Sequence, residues 1–492
     1  MKKYILYLTA IAAVAGTGCR KIETDGEPII ITEPGGNNGG NNGATYTIQG
    51  RITSDTTFRK GNTYILRGPV YIANNSTLTI EPGVTVKCAL ATSQVTALVI
   101  SRGSKLMAAG TADEPIIFTS ASANPTSGDW GGIVLCGKAN VNTAFAGTGG
   151  GQGIVEVEGG VNNAENDALA GGGTTPDDND NSGVLQYVRI EYAGYAAQPD
   201  KELNSLTLAA VGRGTTIDHI QVSYAKDDAY EWFGGTVNCK YLIAYKTQDD
   251  DFDTDNGFSG KIQFGLIIRD SLIADISTSE AFESDNNASG ATVTPKTSPM
   301  FSNITAIGPR ATLSNIGNSL FRAGAQIRRN SALSIYNSII MGWPQGILID
   351  ATTGTSTVLN IEDSSLRIRN TTLAGNTLAT KLSNNTANGP AGATIKTDAD
   401  LLSWITNGLN DNTVLVTNDE VKLIQPFNYA APDPTPFGGS NGNAKVLNGA
   451  SFADSKFTGD DFFDKTVTFR GAIAPAGPAA TWWKGWTRFV NL

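Results

Sequence analysis

Leu185-Gln186-Tyr187-Val188-Arg189-Ile190-Glu191-Tyr192, Thr216-Ile217-Asp218-His219-Ile220-Gln221-Val222-Ser223-Tyr224 and Lys240-Tyr241-Leu242-Ile243-Ala244-Tyr245 are three short β-branched runs that end on the same residue type. Runs of this composition, bounded by turn residues, read as strands. Further runs flank them: Ser76–Ile80, Pro115–Thr119, Ile133–Cys136, Lys261–Arg269, Asn303–Ile307, Leu333–Met341 and Leu366–Leu373. With 56 glycines and abundant Asn, Ser and Thr, the turns between them are well supplied and long helical patterns are rare.

Spacing then selects among β architectures. An Asn-x4-Gly pattern recurs at Asn303/Gly308, Asn337/Gly342 and Asn370/Gly375, at intervals of 34 and 33 residues. Such periods signal a solenoid, in which each unit covers its apolar face only by stacking on its neighbours. A leucine-rich repeat requires a Leu-x-x-Leu-x-Leu framework that this chain lacks. The expected fold is therefore all-β, a right-handed parallel β-helix over 45–375, with loop insertions at Ala146–Ser182 and Ser284–Pro299. Coils and a less regular cap are expected over 376–492, beginning at a weak helical pattern, Asp398–Asn407. Asn303, Asn337 and Asn370 are expected to form a ladder of side-chain amides at one turn. Trp482, Trp483 and Trp486 are expected to cover an open solenoid end, with stacking on sugars as the alternative.

The N-terminus indicates export. Lys2 and Lys3 precede an apolar run, Tyr4 to Ala15, that is too short to span a membrane. Gly16-Thr17-Gly18-Cys19 reads as a lipoprotein processing site, giving a signal peptide over 1–18 and lipidation on Cys19. Residues 19–44, with Pro34-Gly35-Gly36-Asn37-Asn38-Gly39-Gly40-Asn41-Asn42-Gly43, read as a flexible tether. The alternative is cleavage after Ala13-Val14-Ala15 and a secreted soluble protein; Gly16 also replaces the Leu usual at that position of lipoprotein signals. Acidic residues number 46 against 36 basic ones, with no Lys/Arg cluster, so nucleic acid is not an expected partner. Cys88, Cys136 and Cys239 are too sparse for a disulfide scaffold. Buried thiols are expected, with one disulfide plus a free thiol, or a soft metal site, as the alternatives.

Chemistry concentrates in acids. Asp227, Asp228 and Glu231 follow the strand ending at Tyr224, and Asp249, Asp250, Asp251, Asp253 and Asp255 follow the one ending at Tyr245. Consecutive coils stack these segments, and carboxylates brought together repel unless a cation neutralises them, so Ca²⁺ is the expected cofactor. Glu280, Glu283 and Asp285 extend the set by one coil. The alternative is a set of solvated turns. Asp251-x-Asp253-x-Asp255-Asn256-Gly257 imitates an EF-hand loop, but Asn256 sits where that loop needs glycine and Ile262 where it needs a bidentate Glu. Asp177-Asp178-Asn179-Asp180-Asn181 is a second, weaker imitation. His219, the single histidine, excludes multi-histidine metal sites and is expected to be a hydrogen-bonded strand residue. Gly438-Gly439-Ser440-Asn441-Gly442 matches G-x-S-x-G without the strand-to-helix elbow a nucleophile needs.

Gly128-Asp129-Trp130-Gly131-Gly132, Val188 to Gly194, Thr216 to Ser223, Glu231-Trp232-Phe233-Gly234-Gly235 and Asp249 to Asp255 together resemble a family of large surface lipoproteins with a pectin-lyase-like β-helix. The resemblance runs from about Tyr46 to the C-terminus. It implies an outer-membrane location at the cell surface and association with TonB-dependent transporters, and it implies no particular reaction. The expected function is a lipid-anchored module that binds a glycan, a small ligand or a transporter. The resemblance also admits a polysaccharide lyase or glycoside hydrolase using Asp227/Asp228 with Asp249–Asp251, although the Gly-His and Arg-x-Lys segments of polygalacturonases do not follow the acids. A structural surface or adhesion protein is the third reading.

Overall fold

A computed structural model describes residues 31–33, 43–91, 94–198, 201–384 and 392–490. The fold is the expected one: a right-handed parallel β-helix whose successive coils stack in register on three faces. The first face stacks 188–191, 220–223, 242–245, 265–268 and 304–307, then Ile339–Met341, Thr372–Ala374 and Thr413–Leu415. The second stacks Ile133–Cys136, Leu206–Ala209, Tyr230–Phe233, Phe252–Asp255 and Phe282–Ser284. The third stacks 183–186, 216–218, 239–240, 261–263 and 300–302.

Alternation along each strand decides what faces the core, because successive side chains point to opposite faces. On the second face Leu206, Leu208, Tyr230, Trp232, Phe252 and Phe282 are buried in one continuous core. Full burial of each large apolar side chain contributes about 1.5–3 kcal/mol. Trp232 stacks on Phe258 at 5.4 Å, and the buried Tyr230 hydroxyl donates to the carbonyls of Ile220 and Ile243, both at 2.9 Å. Cys88, Cys136 and Cys239 are free thiols in the interior, as expected.

Between the third and first faces the chain turns on a single residue with left-handed backbone. Tyr187, His219, Tyr241, Phe264, Asn303, Asn337, Asn370 and Asp411 take this position coil after coil, with φ between +46° and +66° in each (+49°, +53°, +59°, +65°, +58°, +52°, +52° and +47°). Such a conformation is uncommon outside glycine and favours Asn, Asp and His. The rings of Tyr187, His219 and Tyr241 stack at 4.3 Å each, and Tyr241 on Phe264 at 5.0 Å. His219 is thus a corner residue whose Nδ1 also bonds the Asp218 carboxylate.

The expected amide ladder is corrected here. Asn303, Asn337 and Asn370 do occupy one turn, but their amides engage other partners: Asn303 Nδ2 donates to the Phe469 carbonyl at 2.9 Å, Asn337 Nδ2 to Ser302 Oγ at 3.1 Å and Asn370 Nδ2 to Asp411 at 3.3 Å. Their shared requirement is the backbone angle, and the side chains are free to bond whatever lies alongside.

What lies alongside is the C-terminal segment, which runs back along this corner as a strap. Asp454 pairs with Arg367 and Arg369, Ser451 N donates to Asn337 Oδ1 at 2.8 Å, and Ala472 N donates to Thr305 Oγ1 at 2.9 Å. Farther along, Gln221 exchanges two hydrogen bonds with the Arg488 backbone, at 2.8 and 2.9 Å. The expectation that the tryptophans cover an open end is therefore overturned: Trp486 packs edge-on to Tyr187 and His219 at 5.7 and 5.8 Å, and Trp482 lies 5.1 Å from Tyr241. The C-terminal end of the core is instead closed by the helix Asp398–Ile405, capped by Thr397 and Asp400, whose Leu401 and Ile405 join the core.

The signal peptide 1–18 and Cys19 lie outside the described residues. Within the expected tether, Ile31–Glu33 pairs antiparallel with 45–47. Among the described residues no helix is long and apolar enough to cross a membrane. The insertion after Ala146 folds onto the outer side of the second face, where Val155, Val157, Val161 and Ala168 pack on Tyr71, Val99 and Val134. Within it, Asp178 and Asp180 accept the backbone N–H groups of Asn140 and Lys138, both at 3.1 Å, so this run ties the loop down.

Candidate metal centre

The outward positions of the second face form a row. In register, Thr207 stands beside Glu231, Glu231 beside Asp253 and Asp253 beside Glu283, one residue from each of four successive coils. Asp227 and Asp228, then Asp249 and Asp250, enter from the turns that precede these strands, and Glu280 from the short strand Ser279–Glu280. Hydrogen bonds hold the turns in step. Asp228 Oδ1 accepts the Asp250 N–H at 2.9 Å, and Asp250 Oδ1 accepts the Glu280 N–H at 2.6 Å.

The stacking brings three groups of carboxylates together: Asp227/Asp228/Asp249, Asp228/Glu231/Asp253 and Asp250/Glu280/Glu283, with one oxygen from each member inside 4.8 Å of the others. Oxygens that share a calcium ion at about 2.4 Å lie no farther apart than about 4.8 Å, so each group has the right dimensions. Neighbours complete the walls. Asn204 donates to Glu231, Ser277 Oγ to Asp249 at 2.8 Å, Thr278 Oγ1 to Glu280 at 3.2 Å and Gln326 to Glu283 at 3.2 Å.

Burial of so many carboxylates raises their proton affinities. Asp227, Asp228, Glu231, Asp250, Asp253 and Glu283 are all pushed well above the ordinary range, first by loss of water and then by neighbouring carboxylates, with Arg328 opposing the rise at Glu283. Asp249 is raised to about 7 by burial, with Asp275 and Glu280 adding to it and the Ser277 hydrogen bond opposing it. Perturbation of this kind, from burial plus identified charges, marks candidate functional sites.

Two residues of the expected set stand apart. Asp251 and Arg269 are both 0% exposed and pair at 3.2 Å, with the guanidinium also donating to the Thr247 carbonyl at 2.9 Å. Asp251 thus faces a buried arginine rather than the row, and burial still raises it to about 7. Asp255 ends its strand beside Asp285, and burial followed by that neighbour raises it to about 8. The EF-hand imitation has a plain physical outcome: Phe252–Asp255 is a strand with Phe252 and Thr254 inward and Asp253 and Asp255 outward, so no loop encircles one ion.

Arginines complete the far end. Arg328 pairs with Glu283 and, at 2.8 Å, with Asp285, while Arg329 reaches Asp285 at 2.7 Å. Burial works to lower the Arg328 value, but Glu283 and Asp285 outweigh it and hold the guanidinium above its usual range. Sequence reading passed over Thr207, Asn204, Arg269 and Arg328. Thr207 shares a rung with Glu231, but the spacing between rungs of the row is irregular, so no fixed step along the sequence leads from Glu231 to it.

The profile described as the pectate-lyase-like beta helix domain matches residues 50–414. The chain belongs to this family. The match spans all three faces of the solenoid and the whole acidic row. No curated protein and no solved structure matches the chain.

Proposed function

We propose that this pectate-lyase-like β-helix is a binding module on an exported lipoprotein, anchored to the outer membrane through Cys19 at the cell surface and dependent on Ca²⁺ at its acidic row. The observation that supports it most is the clustering of buried carboxylates on one face, which costs stability unless a cation is present. The layout of Lys2, Lys3, the apolar run and Gly16-Thr17-Gly18-Cys19 supports export and lipidation. Mass spectrometry of the mature protein is expected to find a diacyl or triacyl modification on Cys19; an unmodified chain starting at Gly16 would remove the anchor. Calorimetric titration with Ca²⁺ is expected to show binding that EDTA reverses, and a flat titration would remove the cation.

A TonB-dependent transporter is the partner proposed for this module. Affinity isolation of the tagged protein from mildly solubilised outer membranes is expected to recover a β-barrel transporter, and its repeated absence would set the partnership aside.

Membership of a pectate-lyase-like family favours polysaccharide cleavage as the second reading. Against it, Arg328 is held protonated by two carboxylates and so is a poor base. Screening acidic and neutral polysaccharides for reducing ends or unsaturated products decides between the readings. Activity that disappears in Asp249→Asn would reverse their order.

A further inference from the structure

The carboxylate groups differ in how their charge is met. Asp227/Asp228/Asp249 and Asp228/Glu231/Asp253 share Asp228 and together hold five carboxylates. Among the described residues, no lysine or arginine stands within ion-pair distance of any of the five. At the other end, Glu283 of the third group pairs with Arg328, which also pulls on Asp253 from a distance. One half of the row therefore has a directly paired arginine, while the other feels Arg269 at Asp249 and Arg328 at Asp253 only from a distance.

A second observation points to a ligand in the half without a paired arginine. Thr207 is fully buried, stands beside Glu231 in the row, and its hydroxyl has no hydrogen-bond partner. One carboxylate oxygen of Asp253 is likewise buried and unpartnered. Buried polar oxygens are rarely left without a partner, and oxygens of this kind are what a hard cation takes into its coordination shell.

We infer that this half of the row binds two divalent cations bridged by Asp228, one held with Asp227 and Asp249 and the other with Glu231 and Asp253 beside Thr207. Arg328 takes the place of a third cation at Asp250, Glu280 and Glu283. Five carboxylates against two divalent ions leave about one net negative charge, whereas a single ion leaves about three on a cluster of which Asp228 and Glu231 are buried and the rest half-buried. This inference rests on the cation reading above and goes beyond it in number, in the bridging residue and in the role of the arginine.

The test counts ions. The full chain, stripped with EDTA and dialysed against Ca²⁺, is expected to retain two calcium ions by mass spectrometry of the metal and by calorimetry. Asp227→Asn and Glu231→Gln are each expected to retain one, Asp228→Asn none, and Arg328→Gln three. A folded wild-type chain that holds a single ion, lost equally in Asp227→Asn and Glu231→Gln, overturns the bridged pair while leaving the cation reading intact. No bound ion at all overturns both. Should Asp228→Asn fail to fold, the two single-ion variants still decide the matter, since a mononuclear site predicts none in at least one of them.

Discussion

The corner between the third and first faces and the acidic row on the second face are built by the same device, one position repeated on successive coils. At the corner, neighbouring rungs satisfy one another: Tyr187, His219 and Tyr241 stack ring on ring, and the strap supplies what the asparagines lack. On the acidic row, neighbouring rungs repel. Stacking in register therefore multiplies whatever chemistry the position carries, turning aromatic rungs into an adhesive seam and carboxylate rungs into a demand for counter-charge. The first is a fastening and the second has the character of a binding site.

The seam and the acidic row are expected to respond differently to mutation and to cations. Trp486→Ala removes a buried ring from the seam and is expected to lower stability by about 3–5 kcal/mol, in Ca²⁺ or EDTA alike, measured by urea unfolding. Chelation is expected to act on a similar scale. With Ca²⁺ at 100 times its dissociation constant, each site is expected to add about 2.7 kcal/mol, so EDTA should lower the melting temperature by several degrees. A melting temperature indifferent to both reagents would erase the distinction between the two regions.

Titration sharpens it further. Asp249 and Asp255 have folded-state values of about 7 and about 8, above the unfolded value near 4, so between these limits the folded chain binds more protons than the unfolded one. In EDTA, stability is expected to fall as pH rises from about 4 through about 8, and Ca²⁺ is expected to flatten that slope. Urea midpoints at pH 5 and pH 8 measure it, and a midpoint that rises with pH in EDTA would contradict the picture. The smallest effect belongs to the corner itself. His219→Asn is expected to cost less than His219→Ala, by roughly 0.5–1 kcal/mol, because asparagine adopts left-handed backbone readily and already occupies the equivalent positions 303, 337 and 370.

Much of the fold was legible because the Asn-x4-Gly spacing repeats and Tyr192 and Tyr224 are equivalent, whereas Tyr245 stands one residue short of their position, opposite Ser223, and Lys246 takes their place. The corner as a whole was not, since Tyr187, His219, Tyr241 and Phe264 share a dihedral angle with Asn303 and nothing else that a sequence displays. Acidic runs were equally plain, yet their facing was hidden. Asp250 and Asp251 are adjacent, and only the turn geometry sends one toward Glu280 and the other toward Arg269. The tryptophans misled because an aromatic cluster at a chain end suits a solenoid end, while their true partners lie far back along the chain; Trp486 meets Tyr187.

The strap has a consequence for assembly. Its partners, from Asn370's neighbour Asp411 back to Gln221 and Tyr187, come from many different coils, so its docking site exists only once those coils have piled up. Closing loops of that length is slow compared with adding one coil to the next. A segment that follows the coils along the chain thus works as a gauge laid against the finished stack. A slip of one rung anywhere along it would put Asn303, Asn337 and Gln221 out of reach together, and only a correctly wound helix can be latched.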